Sequence, residues 1–104
     1  MDVHNCNLNI HYSAPDPIWD ELGYLYKQMP HWNGGDNGKP CWYGGDNEKL
    51  IEVSVEPSGL SFYAKLPQDE WNQWFDLFKE KATEIMGYQV GEPEDGFDFV
   101  IYDE

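Results

Sequence analysis

Arginine is absent from this chain, and only six lysines stand against twenty aspartates and glutamates, which gives a formal net charge of −14. Nucleic acids and anionic membranes are both bound through basic residues placed against phosphate, so the composition argues against direct binding to either. A surface of this sign suits a basic partner. The alternative is that the acidity serves solubility alone.

Long apolar runs are also missing. No stretch approaches the roughly 18 apolar residues of a membrane-spanning helix, and Met1–Cys6 lacks the basic and then apolar pattern of an export signal. Two cysteines, Cys6 and Cys41, are too few for a disulfide framework. We therefore predict reduced thiols, a cytoplasmic location and a single domain over residues 1–104.

Recognisable catalytic and metal-binding motifs are scarce as well. The chain has no Gly-x-Ser-x-Gly elbow, and Pro40 interrupts the phosphate-loop-like run Gly34–Lys39. His4 and Cys6 form only one loose pair of zinc ligands, and no calcium loop is present. We predict no enzyme activity, no cofactor and no metal. A small hydrolase stays open as an alternative, because a chain with twenty acids always contains carboxylate pairs.

The hydrophobic pattern predicts a β-α-β-β-α-β order. The predicted elements are a strand over 6–12, a helix between Asp16 and Pro30, a hairpin with strands 51–55 and 60–66, a helix from Pro67 to Gly87 and a strand over 97–101. This order indicates an α+β domain in which both helices cover one face of a mainly antiparallel sheet, and a ferredoxin-like path fits it. The other sheet face, wet or an interface, is predicted to carry Asn7, Asn9, Glu52, Ser54, Tyr63, Lys65 and Asp98.

Residues 30–47 are predicted to form a long glycine-rich loop. Its segment Trp32-Asn33-Gly34-Gly35-Asp36-Asn37 returns ten residues later as Trp42-Tyr43-Gly44-Gly45-Asp46-Asn47. Large aromatics in such loops often anchor interfaces. The alternative is that Trp32 and Trp42 fold back and cap the core.

Acidic residues are concentrated near the C-terminus, where Glu92 to Glu104 contains six acids and no base. Such a cluster can bind lysine and arginine side chains, although a solvated tail would have the same composition. Together with the loop, it defines the predicted partner-binding residues, which are Asp36, Trp42, Tyr43, Asp46, Glu92, Glu94, Asp95 and Asp98.

The segment Trp71–Tyr88, followed by Gly91-Glu92-Pro93-Glu94-Asp95-Gly96-Phe97-Asp98-Phe99, resembles small acidic immunity proteins of bacterial toxin systems, such as contact-dependent growth inhibition. The resemblance spans about a third of the chain. It implies a cytoplasmic antitoxin that neutralises one cognate toxin domain, often a basic nuclease, in a stoichiometric one-to-one complex. The alternative for this composition is a phage-type nucleic-acid mimic that inhibits a DNA-binding or defence protein.

Overall fold

The computed structural model describes residues 2–36, 39–43 and 49–100. Within these residues the chain forms five strands and two helices. They are, in order, β1 (Asp2–Leu8), α1 (Asp16–Gln28), β2 (Trp32–Asp36), β3 (Lys39–Trp42), β4 (Leu50–Glu56), β5 (Gly59–Leu66) and α2 (Gln68–Met86). A 3-10 turn at Pro93–Asp95 follows α2.

The strands form one sheet in the order β1-β5-β4-β3-β2, and every neighbouring pair is antiparallel. Its centre is the β4–β5 hairpin, which the alternation of apolar and polar residues predicted. Pro57 and Ser58 form the turn, and Glu56 pairs with Gly59 beside it. The predicted α+β class with a mainly antiparallel sheet is confirmed.

Both helices cover the same face of this sheet. Alternate strand residues, such as Val53 of β4 and Phe62 of β5, share one core with the apolar stripes of α1 and α2. The Phe62 ring contacts that of Phe78 on α2 at 5.0 Å between centroids, and Phe78 in turn stacks on Tyr26 of α1 at 6.1 Å. Glu52 and Tyr63, one residue out of phase, point to the opposite face.

Residues 30–47 are not simply a loop, because β2 and β3 lie within them. The prediction of a loop was wrong because tertiary contacts, and not the local sequence, stabilise these two strands. Trp32 pairs with Trp42 across these strands, and burial of their indoles stabilises a segment whose glycines disfavour a strand. Gly34, at φ +79°, lies where the register shifts between Trp32 and Gly35.

A ferredoxin-like path fits the part of the sheet formed by β1, β5 and β4. Both β1 and β4 are antiparallel to β5, which lies between them, so β1 and β4 run parallel to each other as in a split β-α-β unit. Of the predicted last strand over 97–101, the part up to Val100 makes only one β-bridge, a parallel one between Ile10 and Val100. Residue 101 lies outside the described residues. The chain there follows Pro93 and Gly96, which favour a turn over a continuous strand pairing.

Asn9 holds this last part of the chain, residues 88–98, which we call the C-terminal segment. The Asn9 side chain was predicted on the open sheet face but is only 2% exposed, because β1 ends at Leu8. Its Nδ2 donates to the carbonyls of Gln89 (3.1 Å) and Asp98 (3.0 Å), and its Oδ1 accepts from the Gly91 N–H at 2.9 Å. Asp98, also predicted on that face, therefore belongs to the C-terminal segment.

Candidate functional site

A groove of about 520 Å³ lies between α2 and the C-terminal segment. We call it the acidic groove. It is lined by Asp76, Lys79, Glu80, Thr83, Glu84, Gln89, Val90, Gly91, Glu92, Asp95 and Phe97. Five of these residues carry a carboxylate and one carries an ammonium group, so the lining has a formal charge of −5 + 1 = −4.

The α2 wall of the groove follows from helical spacing. Asp76, Glu80 and Glu84 are four residues apart and therefore lie in one row along the helix. This row is turned away from the buried stripe that contains Trp74 and Phe78. The same amphipathic pattern that builds the core thus presents a line of carboxylates to solvent.

The C-terminal segment forms the opposite wall, and hydrogen bonds to α2 and to Asn9 hold it in place. The Val90 N–H donates to Thr83 Oγ1 of α2 at 3.0 Å, and Gly91 binds Asn9. The Phe97 ring occupies the space that a β-carbon on Gly91 would need, so glycine at 91 permits this packing. The 3-10 turn then places Glu92 and Asp95 on the groove.

Lys79 neutralises little of this charge. Its Nζ lies 3.4 Å from Asp76 Oδ1 and 4.7 Å from the centre of the Phe75 ring. An exposed pair of this kind contributes at most about 1 kcal/mol. Across residues 2–36, 39–43 and 49–100, the only other ion pair joins Lys49 to Glu70, away from the groove. The groove therefore keeps a net negative charge.

A second cleft continues from the acidic groove toward β1. This β1 cleft has a volume of about 420 Å³ and shares Asp76, Lys79 and Glu92 with the groove. Its other lining residues are Val3, His4, Asn5 and Cys6 of β1 and Gln68, Trp71, Asn72 and Phe75 of α2. The two cavities are therefore neighbours along α2.

Cys6 lies in the β1 cleft as a protonated thiol. Burial raises its pKa to about 12, and hydrogen bonding to the Glu92 carboxylate and the charge of that group act in the same direction. The thiolate is the reactive form of cysteine, so Cys6 is a weak nucleophile at neutral pH.

His4 also lines the β1 cleft. Its Nε2 makes a hydrogen bond of 3.0 Å with the Leu66 carbonyl, and its ring stacks on Trp71. No group of three or more metal-ligating side chains occurs among the described residues.

The structure brings part of the predicted partner-binding set together. Glu92 and Asp95 line the acidic groove. Glu94 and Asp98 are exposed on the same segment but outside the groove lining. Asp36 ends β2, and its side chain, like all of Asp46, lies outside the described part of the chain.

Trp42 is corrected from a partner contact to a core residue. Its side chain is 0% exposed, and its indole N–H donates to the Tyr26 carbonyl at 2.9 Å. The ring also packs edge-on against Trp74 at 4.8 Å. A side chain enclosed in this way cannot reach a partner, so the core-capping alternative describes Trp42.

Tyr43 is half-buried and lies far from the acidic groove in the sheet. Its ring stacks on His31 at 4.1 Å, and burial followed by the charge of Glu70 raises its pKa. Tyr43 directly follows β3, whereas Glu92 lies beside Cys6 of β1, and β4 and β5 separate those two strands. The two halves of the predicted set therefore do not form one surface.

The α2 residues of the groove, Asp76, Glu80 and Glu84, were absent from the sequence-based set. Their four-residue spacing was a visible signal of one acidic helix face. What the sequence did not reveal is that the C-terminal segment returns to this face through Asn9.

No helix within the described residues has the length and apolarity needed to cross a membrane. Comparison of the chain with protein-family models, curated proteins and solved structures gives no match.

Proposed function

We propose that this protein binds a basic toxin domain, a nuclease, in a one-to-one complex and thereby neutralises it. The acidic groove is the observation that carries the proposal. Its lining has a charge of −4 and combines carboxylates with the half-buried aromatic ring of Phe97. A nuclease active site binds phosphate and is therefore basic, so a carboxylate-lined groove is complementary to it in charge.

The charge and the apolar groups have different expected roles. Complementary potentials accelerate encounter between the two proteins, and this effect weakens as salt is added. Slow dissociation depends instead on well-packed apolar and aromatic contacts. Phe97, half-buried on Gly91, is the aromatic residue of the groove that can provide such a contact.

The direct test uses the toxin domain encoded beside the gene. Calorimetric titration of that domain with this protein is expected to show one-to-one binding, and its nuclease activity is expected to disappear at equimolar ratio. Absence of a complex at micromolar concentrations contradicts the proposal.

Matched charge variants locate the interaction. Replacing Glu80 and Glu84 by glutamine removes two groove carboxylates, whereas Asp16→Asn with Asp20→Asn removes two exposed carboxylates from α1. We expect the groove pair to lower the association rate by about five- to tenfold at low salt and the α1 pair by less than about twofold. Equal effects of the two pairs would assign the charge effect to net charge alone.

A nucleic-acid mimic is the second candidate, and the regular acidic row of α2 favours it. Asp76, Glu80 and Glu84 repeat about every 6 Å along the helix axis, as evenly spaced charges on a phosphate backbone would. A mimic binds several unrelated DNA-binding proteins, whereas an immunity protein binds one toxin. Binding assays against a panel of such proteins separate the two candidates.

A further inference from the structure

The β1 strand is an unprotected edge of the sheet. Exposed edges usually carry lysine, proline or a bulge that prevents pairing with another chain. β1 instead pairs with β5 residue for residue, from Asp2 opposite Leu66 to Leu8 opposite Leu60, with no shift in register. The opposite edge differs, because β2 has a register irregularity next to Gly35.

The register shows which backbone groups of β1 face outward. Glu56 and Gly59 flank a two-residue turn and therefore form a hydrogen-bonded pair. Because backbone groups alternate along a strand, Leu60, Phe62 and Ala64 direct theirs toward β1. The backbone groups of their partners Leu8, Cys6 and His4 therefore point toward β5. The N–H and C=O groups of Val3 and Asn5, which alternate with these residues, point away from the sheet.

The protein already uses this edge further along. The N–H of Asn9, in the same phase as Val3 and Asn5, donates to the Gly91 carbonyl at 2.9 Å. The C-terminal segment thus closes the edge from Asn9 onward. Val3 and Asn5 instead line the β1 cleft, where Gln68, Asn72 and Asp76 of α2 form the facing wall.

We propose that the edge of β1 accepts an extended segment of the partner protein, rich in lysine or arginine, as a sixth strand of the sheet. This inference rests on the proposed function, because the segment belongs to the same basic partner. Side chains alternate along a strand, so every second residue of the segment faces α2. There it meets the carboxylates of Asp76 and Glu92, which outnumber the one ammonium group of the cleft, that of Lys79.

Charge selects this occupant over a second copy of the chain. Two copies carry −14 each and repel one another as they approach. A basic segment is attracted by the same charge. On the other sheet face, the Val3 side chain is 57% exposed and offers an apolar contact to the residue that pairs beside it.

Amide hydrogen exchange measured by NMR tests the inference on the intact protein and the toxin domain encoded beside the gene. In the free protein the Val3 and Asn5 amides should exchange quickly, while the inward amides of His4 and Cys6 are protected. In the complex, exchange at Val3 and Asn5 should slow by at least about tenfold.

A proline variant provides the second measurement. Asn5→Pro removes the outward N–H, which an edge strand tolerates, and Asn5→Ala, which also removes the carboxamide side chain but keeps the N–H, is the control. We expect Asn5→Pro to raise the Kd by about tenfold or more and Asn5→Ala by less than about twofold. Equal Kd values for the two folded variants overturn the inference, and if Asn5→Pro does not fold, the exchange measurement decides.

The possible outcomes separate the two proposals. A complex in which Val3 and Asn5 stay unprotected overturns strand addition and leaves the proposed function standing. Absence of any complex overturns both. A dimer of the free protein, detected by sedimentation with protected Val3 and Asn5 amides, assigns the edge to a second copy and also overturns the inference.

Discussion

Asn9 and Gly91 bind each other twice. The Asn9 backbone N–H donates to the Gly91 carbonyl, and the Gly91 N–H donates to Asn9 Oδ1, both at 2.9 Å. The pair joins positions 82 residues apart in the sequence. It fixes the C-terminal segment against the end of β1, and the position of one wall of the acidic groove depends on it.

Replacing Asn9 by alanine is therefore expected to destabilise the fold. The change leaves the Gly91 N–H and the carbonyls of Gln89 and Asp98 without their side-chain partner. We expect a loss of about 3 kcal/mol in the free energy of unfolding, measured by urea denaturation. Asn5→Ala, an exposed change on the same strand, should cost less than about 0.5 kcal/mol. Equal stability of the two variants would show that the Asn9 hydrogen bonds contribute little.

Two glycine-to-alanine changes are expected to have opposite effects. Gly59 has φ +116°, and a β-carbon there would overlap the Leu8 carbonyl oxygen and meet the Phe99 ring, so Gly59→Ala should destabilise by about 2–4 kcal/mol. Gly23 lies within α1 with nothing within 4 Å of its added β-carbon. Gly23→Ala should stabilise by about 1 kcal/mol. Thermal and urea unfolding of both variants measure the contrast, and a shift of the same sign for both would refute this account.

Substitution of Trp42 should affect stability and not recognition. Trp42→Phe loses the hydrogen bond to the Tyr26 carbonyl and part of the buried ring volume, which should cost about 2–3 kcal/mol. Tyr24→Ala, at a residue that is 67% exposed, should change stability by less than about 0.5 kcal/mol. The Kd of folded Trp42→Phe for the proposed toxin partner should match that of the wild type. A much weaker complex would show that Trp42 contributes to partner binding and would contradict its assignment as a core residue only.

Alkaline pH should remove stability that the Cys6 thiol contributes. The folded pKa of about 12 lies above the ordinary pKa of a cysteine thiol, 9.0, so the contribution is fully present below about pH 9 and is lost as the pH rises toward 12. Wild type should lose more unfolding free energy than Cys6→Ser between pH 8 and pH 10.5. Parallel losses in the two proteins would contradict the raised pKa.

The elements that the sequence predicted well are those set by local signals. α2 begins after Pro67 and ends at Gly87, which has the left-handed φ of +80° that suits glycine. The β4–β5 hairpin follows from strict alternation around Pro57 and Ser58. In both, the residues that specify the element lie inside it or next to it.

The elements that the sequence did not predict depend on distant partners. β2 and β3 contain few residues that favour strands, and they form where Trp42 packs between Tyr26 and Trp74. The same applies to the candidate site. The density of acids identified Glu92 and Asp95. Their position opposite the α2 carboxylates, however, depends on Asn9, and the place of Asn9 in an alternating pattern indicated a solvent-facing side chain.

The contact between Asn9 and the C-terminal segment also sets an order of events during synthesis. Residue 9 leaves the ribosome long before residue 91, and at about 5–20 residues per second the interval is on the order of ten seconds. Until then the groove has only its helical wall, and the outward edge of the first strand is uncovered along its whole length. A nascent chain that has not yet reached residue 91 therefore exposes a longer pairing edge than the folded domain does, and its groove can form only after residues 88–98 have emerged.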